Sequence, residues 1–235
     1  MKGIVLCGGL GTRLGDLTRD TPKPLIPVAG RPFLAHVLDQ LLIAQIDEIV
    51  MAVSFQWQKV RDEIGDRWRD VKVSYSIEQE PLGTGGAIKQ AMRQAGVTEA
   101  LVANGDTLLK MDAGDLLRFA HERHADIAIA LKATEDSARF GKVNIDTSGR
   151  IVAFEEKGQC ASGLINSGVY YVKDSVFATI DAAAFSFEKD VLARHHAGLA
   201  IYGMRTDAYF IDMGVPEDLA RARIELPTLN EASDV

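Results

Sequence analysis

The chain has 235 residues, 47% of them hydrophobic and 25% charged, with a formal net charge of −7. That length suits one large domain with a substantial core, and the negative balance excludes a general nucleic-acid binder while leaving room for a local basic pocket. No apolar run approaches membrane-spanning length and no signal peptide is expected; Cys7 and Cys160 lack metal-ligand spacing and read as reduced thiols of a cytoplasmic protein.

In chain order, the apolar run over 3–7 predicts a strand, followed at once by Gly8-Gly9-Leu10-Gly11-Thr12-Arg13-Leu14. Leu34, Val37, Leu38, Leu41 and Leu42 recur at helical spacing, which predicts a helix over 33–44. Strands are expected over 48–53, 72–77, 100–103 and 127–133, with helices over 85–94 and 112–124 between them. This alternation predicts a parallel sheet covered by helices on both faces. The second half changes character. Segments 142–145 and 151–155 flank Asp146-Thr147-Ser148-Gly149, a turn signature, and predict a hairpin. Further strands are expected over 164–172, 199–204 and 209–211, and helices over 191–196 and from Pro216 to about Ile224. The fold class is therefore α/β, a three-layer sandwich with a mixed, mostly parallel central sheet. One domain over 1–226 and a polar tail over 227–235 account for the chain.

The glycines after the first strand allow close backbone approach to a ligand and let N–H groups converge on an anion. Arg13 and Lys23, the latter in Thr21-Pro22-Lys23-Pro24-Leu25, add a planar fork and a point charge. Two familiar glycine motifs fail here. No Lys-Ser or Lys-Thr pair closes the loop, which excludes a P-loop. Leu14 stands where the dinucleotide fingerprint needs a small residue. A plain strand-to-helix turn remains the competing account of Gly8 to Gly11 taken alone.

Glu78-Gln79-Glu80-Pro81-Leu82-Gly83-Thr84-Gly85-Gly86 forms a second glycine segment between a strand and a helix. Gln79 offers both donor and acceptors, as reading a nucleobase edge requires. Here too the alternative is a helix start that uses glycine only to turn. Asp106 follows the strand over 100–103 and Asp212 follows the one over 209–211. Both acids would face one crevice beyond the carboxyl ends of the sheet if the closing strand runs parallel. Two carboxylates sharing a site repel unless a cation lies between them, and Mg²⁺ with substrate phosphates suits such a pair. Taken singly, each is more often a helix cap or turn residue. His121 and His124 find no further ligand in the pattern.

Together these blocks resemble the sugar-1-phosphate nucleotidyltransferases. The matching segments are the Gly8–Leu14 loop, Pro22-Lys23-Pro24, Glu80-Pro81-Leu82-Gly83-Thr84-Gly85, Gly105-Asp106, Glu156-Lys157, Asn166-Ser167-Gly168 and Asp212-Met213-Gly214, in family order. The resemblance implies a Rossmann-like domain, Mg²⁺ as cofactor, and a nucleoside triphosphate and a sugar 1-phosphate as substrates. A homo-oligomer is compatible with it. It implies catalytic roles for Arg13, Lys23 and Asp106, and metal ligation by Asp106 and Asp212. Leu6, Gly8, Gly9, Gly11, Thr12, Gln79, Gly83 and Thr84 would bind the nucleotide. Gly141, Glu156, Lys157 and Asn166 would bind the sugar phosphate. Within the family, Gly30-Arg31-Pro32-Phe33-Leu34 and the compact length are most similar to the heptose 1-phosphate guanylyltransferases. The mannose-1-phosphate guanylyltransferases and the N-acetylmuramate 1-phosphate uridylyltransferases share most of the blocks. Many relatives have proline soon after the Arg-Leu pair, where this chain has Gly15-Asp16. No fused acyltransferase is expected, since no hexapeptide repeats follow. A non-catalytic sensor on the same fold would lack one of these acids or cations. A glycosyltransferase would show an Asp-x-Asp motif, and Asp181-Ala182-Ala183 does not supply one.

Overall fold

A central sheet whose strands are buried on both faces organises the chain, and the computed structural model describes residues 1–9, 15, 18, 21–135, 140–155, 162–194 and 198–231. The first half runs β1 (Lys2–Leu6), a 3-10 turn at Lys23–Leu25, β2 (Pro27–Val28), β3 (Arg31–Pro32), α1 (Phe33–Leu42) and β4 (Glu48–Val53). Next come α2 (Trp57–Ile64), β5 (Arg67–Trp68), β6 (Val71–Ile77), α3 (Gly83–Ala95), β7 (Glu99–Asn104) and β8 (Thr107–Leu109). Then follow α4 (Ala113–Glu122), β9 (Ile127–Thr134), the hairpin β10 (Lys142–Ile145) and β11 (Ile151–Glu155), and the long β12 (Gly163–Lys173). A π-helical stretch at Phe187–Ala193, β13 (Ile201–Thr206), β14 (Phe210–Asp212) and α5 (Pro216–Glu231) complete the described chain.

Eight strands form the main sheet in the order β13-β9-β12-β7-β1-β4-β6-β5. Strands β7, β1, β4 and β6 are parallel, β13 is parallel to β9, and β12 runs antiparallel to both its neighbours. The mixed, mostly parallel sheet is the expected fold class. Its two faces are read off alternate residues. Ile4 packs with Ala87, Ile88 and Met92 of α3, while Val5 packs with Phe33 and Leu34 of α1 and Leu116 of α4. That period of two is why β1 reads as an unbroken apolar run rather than an alternating one.

After β1 the chain winds outward through β4 and β6, then returns to lay β7 on the other side of β1. The strand order therefore reverses between β1 and β7, and a crevice opens beyond their carboxyl ends. At the other end of the sheet, Lys2 and Lys72 meet Glu48 at 2.8 and 3.0 Å from either neighbouring strand. Burial opposes the charge of Glu48, but these hydrogen bonds outweigh it and hold its pKa at about 2.

Several elements differ from expectation. Strand β14 is not part of the main sheet: it pairs antiparallel with β8, a three-residue strand too short to leave a periodic signal. The helix expected over 191–196 is a π-helical stretch that starts earlier, with Ser186 Oγ accepting from Lys189 N at 3.2 Å. Helix α5 continues to Glu231 rather than ending near Ile224, because Leu219, Ala222 and Leu226 are buried in the core and hold it across Pro227.

The second glycine segment owes much of its composition to packing. A Cβ on Gly85 would lie 2.3 Å from the Phe185 ring, and one on Gly86 2.3 Å from the Ala183 carbonyl oxygen. The Gly85 N–H donates to Phe185 O at 3.0 Å, so the backbone of 183–187 presses directly on the start of α3. Gly86→Ala should destabilise the protein by about 1–3 kcal/mol, the usual cost of overpacking. Gly9→Ala, where a Cβ meets nothing within 4 Å, should leave the urea midpoint unchanged. Equal midpoints for both variants would contradict this account of the segment.

Candidate active site

Beyond β1 the chain enters a cleft of about 420 Å³ lined by Leu6, Gly8 and Gly9, by Lys23 and Pro24, and by Ala52 at the end of β4. Glu78, Pro81, Gly83 and Thr84 close one side, and Asn104, Asp106 and Gly214 the other. Gly8 has a packing reason: its Cβ would come 2.9 Å from Glu78 Oε1 and 3.1 Å from Ser54 Oγ, which itself donates to Gly8 O at 2.8 Å. Gly9 lines the cleft and has none among the described residues. The same strand end fixes Gly105, whose N–H donates to Leu6 O at 2.9 Å and whose Cβ would meet Cys7 Sγ at 2.7 Å. This close crossing of β1 and β7 places Asp106 beside the glycine turn.

Asp212 reaches the same place by an antiparallel route. It stands opposite Thr107 in the β14–β8 ribbon, and Met213 N donates to Asp106 O at 3.0 Å. The expected condition, a closing strand parallel to the sheet, is thus not met, yet the acids meet. Burial raises the Asp212 pKa and the charge of Asp106 raises it further, while Lys23 and the Gly214 N–H favour its charged form. Lys23 projects from a 3-10 turn whose entry is stiffened by Pro22 and Pro24. Its buried ammonium lies 2.5 Å from Asp106 Oδ2. A cation therefore already stands against this carboxylate pair. Hard oxygen donors of this kind suit a divalent ion that completes its shell with phosphate oxygens and water.

Gln79, expected to read the base, is exposed and does not line the cleft; Glu78 does. Both residues follow the end of β6 at Ile77, in the loop that leads to α3. Gly83 and Thr84 line the cleft but are also held by the chain. Thr84 Oγ1 donates to Glu188 Oε2 at 2.7 Å and accepts from Phe187 N at 2.9 Å.

Asn166 begins a bulge in β12, donating through Nδ2 to Tyr170 Oη and accepting from Gly168 N, both at 2.9 Å. Gly168 sits at φ +79°, where a Cβ would crowd Thr107 Oγ1 and the Asn104 amide. The bulge therefore leans on the residues either side of Asp106. Gly141 precedes β10, and its neighbour Phe140 stacks edge-on against Phe210 of β14, with ring centroids 5.8 Å apart. The expected residues Gly11, Thr12, Arg13, Glu156 and Lys157 lie outside the described residues.

Residues 2–228 match the protein family described as Nucleotidyl transferase. The chain belongs to this family. It is 39% identical to the D-glycero-alpha-D-manno-heptose 1-phosphate guanylyltransferase of Aneurinibacillus thermoaerophilus, over 96% of this chain and 98% of that one. A protein of the same name from Campylobacter jejuni is 40% identical over 93% and 96% of the two chains. Among solved structures, HddC from Yersinia pseudotuberculosis complexed with GMP-PN superposes with a TM-score of 0.84 at 33% identity, covering 96% of this chain and 99% of that one.

Members of this nucleotidyltransferase family generally use a divalent metal. Two cleft residues with hydrogen-bonding side chains, Glu78 and Asn104, carried no assignment from the sequence. Glu78 was hidden beside a better-looking glutamine. Asn104, whose Oδ1 is buried with no donor among the described residues, ends β7, one residue beyond the strand expected over 100–103. No described helix is long and apolar enough to cross a membrane.

Because Lys23 favours the charged form of Asp212, Lys23→Met should push the Asp212 carboxyl further up. A raised carboxyl pKa makes the folded state bind a proton more readily than the unfolded one, so stability rises as pH falls. Lys23→Met should accordingly unfold more easily than wild type at pH 8, with the deficit shrinking toward pH 5. A deficit independent of pH, measured by urea denaturation, would separate Lys23 from the acid pair.

Proposed function

We propose that this enzyme transfers a guanylyl group from GTP to D-glycero-α-D-manno-heptose 1-phosphate and releases pyrophosphate. The observation that carries this reading is the meeting of Asp106, Asp212 and Lys23 beside the glycine turn, in a family member about 40% identical to two proteins of that name.

The attacking group is a phosphate oxygen of the sugar 1-phosphate, already anionic, so no general base is required. A P–O bond forms to the α-phosphorus of GTP as the bond to the β-phosphate bridging oxygen breaks, and pyrophosphate leaves with the electron pair. The obstacle is the approach of two polyanions, which calls for positioning and charge neutralisation. Asp106 and Asp212 would hold Mg²⁺, which when bound would withdraw charge at the α-phosphate. Lys23 supplies a fixed ammonium on the same carboxylate and keeps the pair from repelling before substrate arrives. Gly9 leaves its backbone open to the phosphates. By the resemblance, Arg13 would meet the charge that develops on pyrophosphate, and Glu156, Lys157 and Asn166 would receive the sugar phosphate. The buried, reduced Cys7 supports a cytoplasmic setting for this chemistry.

A pyrophosphate-release assay with Mg²⁺, GTP and a panel of sugar 1-phosphates tests the reading, with heptose 1-phosphate expected to react best. Asp106→Asn and Asp212→Asn should each lower turnover by about 10²–10³ while leaving the fold intact, the usual cost of one electrostatic contact made at the reacting centre. Near-normal turnover in either variant would remove that acid from the mechanism.

A further inference from the structure

Strand β12 breaks step with β9 at one place. Asn166 stands opposite Leu131 and Tyr170 opposite Ile129, so Ser167, Gly168 and Val169 have only Ala130 across from them. With β7 the strand keeps its register through Val169, so the irregularity lies on the β9 side. A bulge of this kind gives up ladder hydrogen bonds and re-aims the side chains around it. Ala130 has no partner residue in β12, yet it is fully buried, and a buried carbonyl left without a donor is costly.

Ser167 supplies that donor. It is itself fully buried, and its Oγ donates to Ala130 O at 2.7 Å. Its own carbonyl accepts from Thr107 Oγ1 at 3.3 Å. Thr107 follows Asp106 and stands opposite Asp212. One residue is thus fastened on one side to β9 and on the other to the ribbon that carries the acid pair. Asn166 comes just before it, and its carboxamide is braced by the residues just beyond: Oδ1 accepts from Gly168 N and Nδ2 donates to Tyr170 Oη. An amide braced in this way still has one N–H and one lone pair to offer a ligand. The turn that makes the bracing possible is at Gly168, whose φ of +79° suits glycine.

We propose that Ser167 is a positioning residue of the acceptor site, its hydroxyl standing in for the lost ladder bond at Ala130 and so holding Asn166 at a fixed reach from the acids. The inference rests on the transfer reading above, which puts the sugar 1-phosphate at Asn166. It adds the residue that sets this side chain against the reacting centre. Alanine at 167 would leave Ala130 O without its donor, and the bulge would be free to slip toward a regular ladder, taking Asn166 with it.

The test compares Ser167→Ala with Val172→Ala, a buried position of the same strand where β12 and β9 are in register. Both variants should lower the urea midpoint. Only Ser167→Ala should speed hydrogen exchange of the Gly168 amide, which Asn166 Oδ1 holds, by about tenfold or more over Val172→Ala. In steady-state assays with GTP and the sugar 1-phosphate that wild type uses best, Ser167→Ala should raise the KM for the sugar phosphate by about tenfold, the size of one lost hydrogen bond. The KM for GTP and kcat should stay within about twofold, as they do when a contact held equally in ground and transition states is lost. Val172→Ala should leave both KM values unchanged. Should Ser167→Ala fail to fold, Ser167→Cys carries the same comparison, its weaker donor giving the same shifts in smaller measure. Equal Gly168 exchange in the two variants would overturn the proposal. So would faster exchange with an unchanged KM for the sugar phosphate, the result for a bulge that loosens without touching the acceptor. A wild type that reacts with no sugar 1-phosphate would count against the transfer reading, and Gly168 exchange would still decide whether Ser167 holds Asn166.

Discussion

Two carboxylates brought to one place repel, and the site is arranged around what relieves that repulsion. Asp106 and Asp212 are more than a hundred residues apart in sequence, but the β8–β14 ribbon sets Asp212 opposite Thr107, next to Asp106, with Lys23 standing on Asp106. The raised pKa of Asp212 records the conflict: burial and its neighbour both favour a proton there. A divalent ion shared with a phosphate would satisfy both acids at once, which is what nucleotidyl transfer between two polyanions requires. The lysine is the resident stand-in. It is held against Asp106 by an ion pair of the chain's own.

The sheet makes this juxtaposition possible. Reversal of strand order between β1 and β7 opens the crevice, and close crossing of the two strand ends sets Gly105 against Leu6 and Cys7. Glycine serves two different purposes around it. At Gly85, Gly86 and Gly105 it makes room for the chain's own backbone and side chains; at Gly9 it leaves space toward the cleft. The first group builds the walls; the second, among the described residues, meets no neighbour.

Much of this was legible in the sequence. The apolar run of β1 leading into Gly8 and Gly9, the helical spacing of α1, and Asp106 at a strand end all reflect local patterns that burial imposes. What was not legible depends on contacts distant in sequence. The ribbon of β8 with β14 is three residues on each side, too short for any periodicity, so the route by which Asp212 arrives was invisible. Which of Glu78 and Gln79 enters the cleft is set in the loop beyond β6, where no periodic pattern gives a signal. The glycines before α3 looked like ligand-binding glycines because composition cannot say whether a nucleotide or the 183–187 backbone comes close.

The proposed mechanism requires one divalent ion shared by Asp106 and Asp212 at the α-phosphate. Crystals grown with Mn²⁺ in place of Mg²⁺ and a non-hydrolysable GTP analogue would locate that ion by its anomalous scattering. A peak within coordinating distance of both carboxylates and an α-phosphate oxygen is the predicted result. A peak held by the β- and γ-phosphates alone, with Asp212 turned away, would contradict it.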